Sequence, residues 1–323
     1  ELFPDLADVC GQPLARQSLE IAAAGGHHLL FVGPPGSGKT MLAQRMSGLL
    51  PPLTPDVALM ATMVHSAAGV RLPPNGLVTR APYRAPHHTS SIVALVGGGT
   101  STLRPGEISL AHGGILFMDE LGEFAPTVLD GLRQPLEEGV VRVARARATA
   151  TLPAQFLLVA ATNPCPCGGG PPGACQCDEG AKARYLRRLS GPLLDRFDLR
   201  VSVMRPDVDQ LMDSGGGEPT AVVAARVGAA RELAVARQGH LNAAIQSSQL
   251  DQFAPLSPEA HDRLRSELLR DRLTGRGYHR VRRVARTLAD LDPEQPNSIE
   301  IGHVTLALQY RVQLSPMMRG RAA

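Results

Sequence analysis

Hydrophobic positions form short apolar runs that end in polar or turn-forming residues. "LLFV" at 29–32, "GILFMDE" at 114–120 and "FLLVAATNP" at 156–164 have this pattern, and a final strand is predicted before Pro206. Uninterrupted apolar runs are typical of strands buried on both faces of a parallel sheet. A glycine-rich turn and a helix that ends before Pro51 follow the first run. Strands alternating with helices predict an α/β domain with a parallel sheet flanked by helices.

The segments between these strands carry weaker patterns. Residues 51–113 are rich in turn formers and predict loops, with one possible hairpin near 90–96. Helical periods occur at about 125–137 and 180–189. Between them, "GVVRVARARATATLPAQ" at 139–155 alternates apolar residues with arginine, which predicts a two-stranded hairpin.

The pattern changes after Pro206. Residues 218–312 have helical periodicity, interrupted by prolines. We therefore predict an α/β domain over 1–206 and a helical lid domain over 207–323. The chain length of 323 residues is enough for two domains of ordinary size.

Composition narrows the class of protein. The chain is 43% hydrophobic and 20% charged, and it has no apolar window long enough to span a bilayer. It begins at Glu1 and has no basic-then-apolar leader, so we expect a cytoplasmic protein without membrane contact and a start that is a cut within a longer protein.

Nine arginines fall between 263 and 286, which predicts either an anion-facing surface or a solvated helix face. The absence of tryptophan argues against extensive base stacking, so any nucleic-acid contact should be to phosphate.

"GPPGSGKT" is the strongest chemical signal in the chain. It fits G-x-x-x-x-G-K-[ST] in full and lies between a predicted strand and a predicted helix. In such a loop backbone amides hold phosphates, the lysine reaches the β and γ phosphates, and the hydroxyl is a magnesium ligand. The predicted cofactor-binding residues are Gly33, Pro34, Pro35, Gly36, Ser37, Gly38, Lys39 and Thr40. The sequence therefore predicts ATP and Mg²⁺.

Polar residues end the next two predicted strands. Asp119 is placed to hold the hydration shell of magnesium, and Glu120 to orient and deprotonate an attacking water. A glutamate after the aspartate favours hydrolysis, because the nucleophile is then water. Asn163 ends the following strand, where it could hold the same water or simply form a turn.

Four of the five cysteines lie within the loop 163–180. Cys165, Cys167, Cys175 and Cys177 form a C-x-C-x7-C-x-C pattern among glycines and prolines. Four thiolates suit a tetrahedral structural Zn²⁺, although the C-x-C spacing is tighter than usual. Free thiols and a redox role are the alternatives, whereas stable disulfides are disfavoured in a reducing cytoplasm.

Several segments together resemble a known family. "DVCGQPLARQSLEIAAAGGHHLLFVGPPGSGKT", "PHHT", "GEISLAHGGILFMDE", "NPCPCG", "LSGPLLDRFDL", "GRGYHRVRRVARTLADL" and "HVTLALQYR" resemble the AAA+ ATPases of the magnesium-chelatase-like family, in its competence-associated ComM (YifB-type) branch. The resemblance covers essentially the whole chain. Members of that branch usually carry an extra N-terminal domain similar to the Lon protease fold, and this sequence begins after it.

The resemblance implies a site shared between subunits. Arg196 in "LLDRFDL" matches the arginine finger, which is supplied to the nucleotide of a neighbouring subunit. A guanidinium can neutralise charge on a transferring phosphoryl group, whereas the alternative is a surface arginine paired with a nearby aspartate. A finger acting in trans requires a ring, expected by analogy to be a hexamer.

Two further roles follow from the resemblance alone. Arg276 in "GRGYHRVRR" matches the sensor-2 arginine of the lid, with Arg280 and Arg283 as rivals on neighbouring turns. Val9 and Gln12 in "DVCGQ" lie where related ATPases contact adenine.

Two inserts are candidates for contact with a substrate. The hairpin carries Arg142, Arg145 and Arg147, and a loop ahead of the acid pair carries His87 and His88. Similar inserts in related helicases line a central pore and grip the DNA backbone, which predicts salt-sensitive, sequence-tolerant binding. A solvated ribbon edge and local hydrogen bonding of the histidines are the alternatives.

These observations predict an ATP-driven ring that acts on DNA. By resemblance, its task would be helicase-type branch migration in homologous recombination during natural transformation. A chelatase-like ATPase that drives metal insertion through a partner and a protein-remodelling ATPase are the competing classes.

Overall fold

The computed structural model describes residues 3–99, 103–145, 148–169, 175–189, 191–206 and 217–311. Within these ranges the strands are β1 (Leu29–Val32), β2 (Tyr83–Arg84), β3 (Gly97–Gly98), β4 (Arg104–Pro105), β5 (Ile115–Met118), β6 (Val140–Arg145), β7 (Ala148–Pro153), β8 (Leu157–Thr162) and β9 (Leu199–Ser202). Five of them form one sheet in the order β2, β5, β8, β1, β9.

All neighbours in this sheet are parallel. Leu29 of β1 is paired with Val159 of β8 on one side and with Leu199 of β9 on the other. Strands β5 and β8 pair from Ile115 opposite Leu157. The predicted parallel α/β sheet is confirmed, and the polar residues that follow β1, β5 and β8 lie at one edge because the carboxyl ends of parallel strands meet there.

Helices cover both faces of the sheet and make up the C-terminal part of the structure. In chain order they are α1 (Pro13–Gly25), α2 (Lys39–Arg45), α3 (Pro55–Ala67), α4 (Ile92–Val96), α5 (Glu107–Leu110), α6 (Pro126–Gly131), α7 (Arg133–Glu138), α8 (Glu179–Arg188), α9 (Gly191–Leu194), α10 (Thr220–Gln238), α11 (Leu250–Phe253), α12 (Pro258–Leu269), α13 (Gly275–Leu291) and α14 (Ile301–Gln309).

Alternating residues of the strands face two separate cores. Leu29 and Phe31 of β1 pack with α1, α2 and the C-terminal helices. Leu30 and Val32 pack on the other face with Phe124 and Phe197. Burial on both faces explains the uninterrupted apolar runs of the sequence.

The C-terminal helices pack directly on α1. The Tyr310 hydroxyl donates to Gln17 Oε1 at 2.6 Å, and Arg231 Nη1 donates to the Ala23 carbonyl oxygen at 2.7 Å. Hydrophobic residues of α10, α13 and α14 share one core with the sheet. The predicted C-terminal helical region is confirmed. The division at 206/207 stays a prediction, since residues 207–216 lie outside the described part of the chain.

Residues 51–113 contain more helix than their turn formers predict. Helix α3 begins with Pro55 after Thr54, and its buried residues Ala58, Ala61 and His65 recur at helical spacing. The predicted hairpin near 90–96 is wrong. Ser91 instead caps α4 by accepting a hydrogen bond from the Ala94 N–H at 3.2 Å, because a serine hydroxyl satisfies an otherwise unpaired amide at a helix start.

The other predicted elements are present. Strands β6 and β7 form the antiparallel hairpin, with Val140 opposite Pro153, and α8 occupies the predicted position near 180–189. The predicted helix at 125–137 is divided into α6 and α7. None of the described helices is both long enough and apolar enough to cross a membrane.

Candidate active site

The phosphate loop leaves the carboxyl end of β1 and enters α2. Gly36 and Gly38 have φ angles of 74° and 89°, in the left-handed region that glycine adopts without strain. A Cβ at Gly33 would collide with the backbone carbonyl of Val203. The buried hydroxyl of Ser37 has no hydrogen-bond partner among the described residues. This glycine-built loop and its spare buried hydroxyl fit a phosphate ligand.

Lys39 lies at the centre of the loop. Its Nζ donates to the carbonyl oxygens of Gly33 and Pro34, each at 2.8 Å, and lies 3.4 Å from Asn163 Oδ1. Burial lowers the pKa of Lys39, and the charges of Asp119 and Glu120 oppose this shift. The lysine thus brings together the phosphate loop, the acid pair and Asn163.

Thr40 and Asp119 provide the oxygen ligands that magnesium prefers. The Thr40 hydroxyl donates to Asp119 Oδ2 at 2.6 Å. The other carboxylate oxygen, Oδ1, accepts from the backbone N–H of Glu120 at 2.9 Å. A hydroxyl and a carboxylate in direct contact beside a phosphate loop are suited to holding Mg²⁺ together with its water ligands.

Glu120 has a constrained backbone and one clear side-chain partner. Its φ of 50° is unusual for a residue with a Cβ. Its Oε2 lies 3.1 Å from Nδ1 of His88. The His88 ring in turn contacts the His87 ring and the edge of Phe124, with centroids 4.2 and 6.5 Å apart. His88 therefore holds the carboxylate predicted to activate water.

Tyr185 holds the end of β8 in place, next to Asn163. The Tyr185 hydroxyl lies 3.2 Å from the Thr162 hydroxyl. The Tyr185 ring also covers Gly122, where a Cβ would lie 2.7 Å from the phenol. No sequence pattern marks Tyr185 as a neighbour of the site, because its contacts join segments far apart in the chain.

Gln12 and Val9 lie in the N-terminal segment that runs beside the phosphate loop. Gln12 Nε2 donates to the Ser37 carbonyl oxygen at 2.7 Å, so this side chain does reach the loop. Val9 is fully buried in the core, and its carbonyl oxygen accepts a hydrogen bond from Arg16 Nη1 at 2.9 Å. Their contact with adenine stays a prediction.

Arg205, which the sequence does not single out, also contacts the phosphate loop: it donates to the Pro35 carbonyl oxygen at 2.8 Å.

Arg196 does not join this group. It precedes β9, whereas the phosphate loop follows β1, the parallel neighbour of β9. Strands advance about 3.3 Å per residue, so these four-residue strands separate the two edges by more than about 10 Å. The Arg196 guanidinium pairs with Glu137, and its Nε has no hydrogen-bond partner among the described residues.

Other arginines surround Arg196. Burial lowers the pKa of its guanidinium, and the positive charges of Arg280, Arg276 and Arg133 lower it further. Arg280 Nη1 donates to the Arg196 carbonyl oxygen at 3.2 Å and to Asp198 Oδ1 at 2.6 Å. We call this edge, which Arg196, Arg276 and Arg280 share, the arginine edge.

The sensor-2 candidates differ in exposure. Arg276 is 79% exposed, with Nη1 4.0 Å from Asp195 Oδ2. Arg280 is largely buried in its pair with Asp198, and Arg283 is half-buried with an Nε that has no hydrogen-bond partner in the described part of the chain. Arg276 therefore lies on the arginine edge, and its predicted role stays a prediction.

Asp198 anchors the arginine edge to the C-terminal helices. Its Oδ2 lies 3.2 Å from His27 Nδ1, and His27 Nε2 lies 2.8 Å from the Thr287 hydroxyl. Burial alone would raise the pKa of Asp198. The hydrogen bond and charge of His27, followed by the charge of Arg280, hold that pKa well below its usual range.

The four cysteines converge beside the phosphate loop. The Sγ atoms of Cys165, Cys167, Cys175 and Cys177 all lie within 4.8 Å of one another. None of them is in a disulfide.

The residues predicted to contact DNA have partners within the chain itself. Arg142 is exposed on β6 and pairs with Glu138, while Arg145 ends that strand. Arg147 lies outside the described residues. His87 Nδ1 bonds the Thr89 hydroxyl at 2.8 Å, which is the local hydrogen bonding named as the alternative, whereas His88 contacts Glu120, which is distant in sequence. The contact of these histidines with DNA stays a prediction.

Comparison with known families and proteins agrees with this geometry. The model of the family "Magnesium chelatase, subunit ChlI" matches residues 5–211, and that of its C-terminal region matches residues 217–311. The chain belongs to the magnesium chelatase ChlI family of AAA+ ATPases. ATP and Mg²⁺ are the ligands that membership in this family implies, and the phosphate loop and the Thr40–Asp119 pair fit them.

Similar proteins lie within the ComM/YifB branch of the family. An uncharacterized protein of Mycobacterium tuberculosis is 47% identical over 96% of this chain and 62% of its own length. The uncharacterized protein YifB of Escherichia coli is 46% identical over 95% of this chain and 60% of its own length. The competence protein ComM of Haemophilus influenzae is 45% identical over 96% of this chain and 60% of its own length. The chain thus spans about three fifths of these relatives.

Proposed function

We propose that this chain is the motor part of an ATP-driven, ring-forming DNA machine. Its task would be helicase-type branch migration in homologous recombination during natural transformation. The cofactors we propose are ATP with Mg²⁺ at the phosphate loop and Zn²⁺ at the cysteine cluster. The observation that carries the proposal is the position of Arg196, which lies at the sheet edge away from the phosphate loop of its own chain.

Within one chain, the described residues supply all but one of the groups that we propose for binding and hydrolysing ATP. Lys39 would hold the phosphates, and Thr40 and Asp119 would hold magnesium, which neutralises phosphate charge when it is bound. Glu120, oriented by His88, takes a proton from water, and Asn163 helps to place that water. Hydrolysis also needs a positive group that faces the outer phosphate. We propose that Arg196 of a second copy supplies it.

A cyclic ring follows from a site that two copies share. The interface is heterologous, because the phosphate loop of one copy faces the arginine edge of the next. Repetition of such a contact closes a ring when the rotation allows it. We expect six subunits, by analogy with the family.

The arginine hairpin β6–β7 supports a nucleic-acid substrate. Val141 and Val143 anchor one face of the hairpin in the core, whereas Arg142 on the other face is exposed. Arginines on an anchored ribbon suit phosphate contacts, which are independent of base sequence and weaken with salt. The name of the similar competence protein ComM is in keeping with a DNA substrate.

The test is steady-state ATP hydrolysis by this chain with and without single-stranded and forked DNA, at low and high salt. We expect stimulation by DNA that fades with salt and is lost in Arg142→Ala. Arg226→Ala is the matched control, since Arg226 is also a partly exposed arginine paired with glutamates, Glu20 and Glu218, but lies on α10, outside the arginine-rich segment 263–286. Hydrolysis that ignores DNA in every variant would contradict the DNA proposal and leave ATP hydrolysis standing.

The matched family model favours a second candidate, a chelatase-like subunit that drives metal insertion through a partner. It predicts ATP hydrolysis that responds to a partner protein and not to DNA. The same assay distinguishes the two candidates when a tetrapyrrole-chelating partner protein replaces DNA.

A further inference from the structure

The four cysteine sulfurs have the spacing of a tetrahedral metal site. Cys165 Sγ lies 3.3 Å from Cys167 Sγ and 3.6 Å from Cys175 Sγ, and Cys167 and Cys175 are also 3.6 Å apart. Four sulfurs bound to zinc at about 2.3 Å would lie roughly 3.8 Å apart. A disulfide needs about 2.05 Å. The cluster therefore fits one bound Zn²⁺ ion far better than a pair of disulfides.

The ligands come from two arms, one that follows β8 and one that precedes α8. Cys165 and Cys167 follow Asn163 at the end of β8, and Cys165 is buried. Cys175 and Cys177 precede α8, the helix that carries Tyr185 against Gly122 and Thr162. An ion held by all four thiolates would tie the end of β8 to the start of α8.

The first arm also touches the phosphate loop. Gly168 has a φ of 86°, and a Cβ built on it would lie 2.7 Å from Pro35 Cδ and 2.9 Å from Pro35 Cγ. The Gly168 N–H donates to the Cys165 carbonyl oxygen at 3.0 Å, so this contact is built onto a cysteine turn. Arg205 holds the carbonyl of the same Pro35. Pro35 is thus enclosed by the cysteine arm and by the segment after β9.

We propose that Cys165, Cys167, Cys175 and Cys177 bind one Zn²⁺ ion and that this metal clip holds Gly168 against Pro35, so that metal occupancy sets the affinity of the phosphate loop for nucleotide. The inference rests on the proposed binding of ATP and zinc. Binding forms four Zn–S bonds and releases the four thiol protons to solvent.

The physical reason is conformational entropy. A phosphate loop binds well when its amides already point at the ligand, and ordering a loose loop on binding lowers the affinity. Four metal–sulfur bonds remove most of the freedom of the arm that packs on Pro35. Without the ion, the glycine-rich arm retains that freedom, and the loop must be ordered by the nucleotide itself.

The first experiment measures metal content and nucleotide affinity together. Zinc per chain is determined by inductively coupled plasma mass spectrometry, and the Kd of a fluorescent ATP analogue is determined by titration. We expect one zinc per chain, absent in the Cys175→Ser/Cys177→Ser double variant, with a Kd raised by about tenfold. Metal-free protein that binds the analogue with unchanged Kd would overturn the proposal.

A second pair of variants tests the contact and leaves the cysteines intact. Gly168→Ala places a methyl group against Pro35, and we expect it to keep its zinc and to bind nucleotide about tenfold more weakly. Gly76→Ala is the matched control, since Gly76 has a similar φ of 75° but open space around it. Equal affinity in the two alanine variants would overturn the link to the phosphate loop even if the double cysteine variant were unfolded.

Lys39→Ala separates this inference from the proposed function. Loss of nucleotide binding in that variant with zinc retained shows that the assay reports on the phosphate loop. Wild-type chain that holds zinc but binds no nucleotide would refute the ATP assignment itself. Wild-type chain that binds nucleotide without any zinc would refute the clip alone.

Discussion

His88 Nδ1 lies 3.1 Å from Glu120 Oε2, which joins a loop residue to the acid that ends β5. The contact orients a carboxylate that is half exposed and would otherwise rotate freely. We expect His88→Ala to lower kcat for ATP hydrolysis by about tenfold, because a general base must be held close to its water. The Kd for ATP should not change, since His88 contacts Glu120, His87 and Phe124, which all lie outside the phosphate loop.

His261→Ala is the control for this prediction, because His261 is an exposed histidine on α12 that pairs with Asp262 and not with the acid pair. A kcat that rises in His88→Ala would mean that the pair holds Glu120 away from the water. Single-turnover rates for the two variants distinguish these outcomes.

Substitutions of Lys39 and Glu120 should impair different steps, ATP binding and ATP hydrolysis respectively. Lys39→Ala removes the cation that the loop holds among its carbonyl groups, so ATP binding should be lost. Glu120→Gln keeps the shape of the side chain but removes its basicity, so ATP should bind normally and hydrolysis should fall by about 10²-fold or more. Equilibrium binding and steady-state turnover of both variants check this, and normal turnover by Glu120→Gln would exclude it as the base.

Arg196 should act on a neighbouring copy. Arg196→Ala alone is expected to bind ATP and hydrolyse it about 10³-fold more slowly. When Arg196→Ala is mixed with Lys39→Ala, some interfaces combine an intact phosphate loop with an intact Arg196, so activity should reappear. The absence of recovery over a range of mixing ratios, in samples whose mixed assembly is verified, would argue against a shared site.

His28 should make stability depend on pH. Its Nδ1 accepts the Leu158 N–H at 3.0 Å, and burial lowers the pKa of His28 to about 4. In the unfolded chain histidine titrates near 6.5, so below that value the unfolded state takes a proton that the folded state refuses. Stability is therefore complete above about pH 6.5 and falls by up to about 1.4 kcal/mol per pH unit towards pH 4.

Urea unfolding at about pH 7 and about pH 5 measures this effect. In His28→Asn the side-chain oxygen can still accept the Leu158 N–H, but the group that titrates is gone. Wild-type protein should lose roughly 2 kcal/mol more than the variant between these two pH values. Equal losses in both proteins would mean that His28 takes up its proton in the folded state without cost.

The sequence by itself determined the features that depend on neighbouring residues. Apolar runs fixed the buried strands and therefore the parallel sheet, and the spacing of Gly33, Gly38 and Lys39 fixed a phosphate loop whose geometry is local. The acid pair and the four cysteines were also visible as short patterns. The prediction of loops over residues 51–113 missed α3. The turn-forming residues there lie at the ends of helices, and they hid the helical spacing of the buried residues of α3.

Only the tertiary structure decided which distant segments meet. The order β5, β8, β1 brings Asn163 beside Lys39, and packing of a loop far from β5 in sequence brings His88 to Glu120. The same parallel order puts Arg196 at the edge away from its own phosphate loop. Gly168 meets Pro35 only because β8 and β1 are neighbours. Such pairings follow from how the whole sheet packs, and the sequence around each residue does not encode its partner.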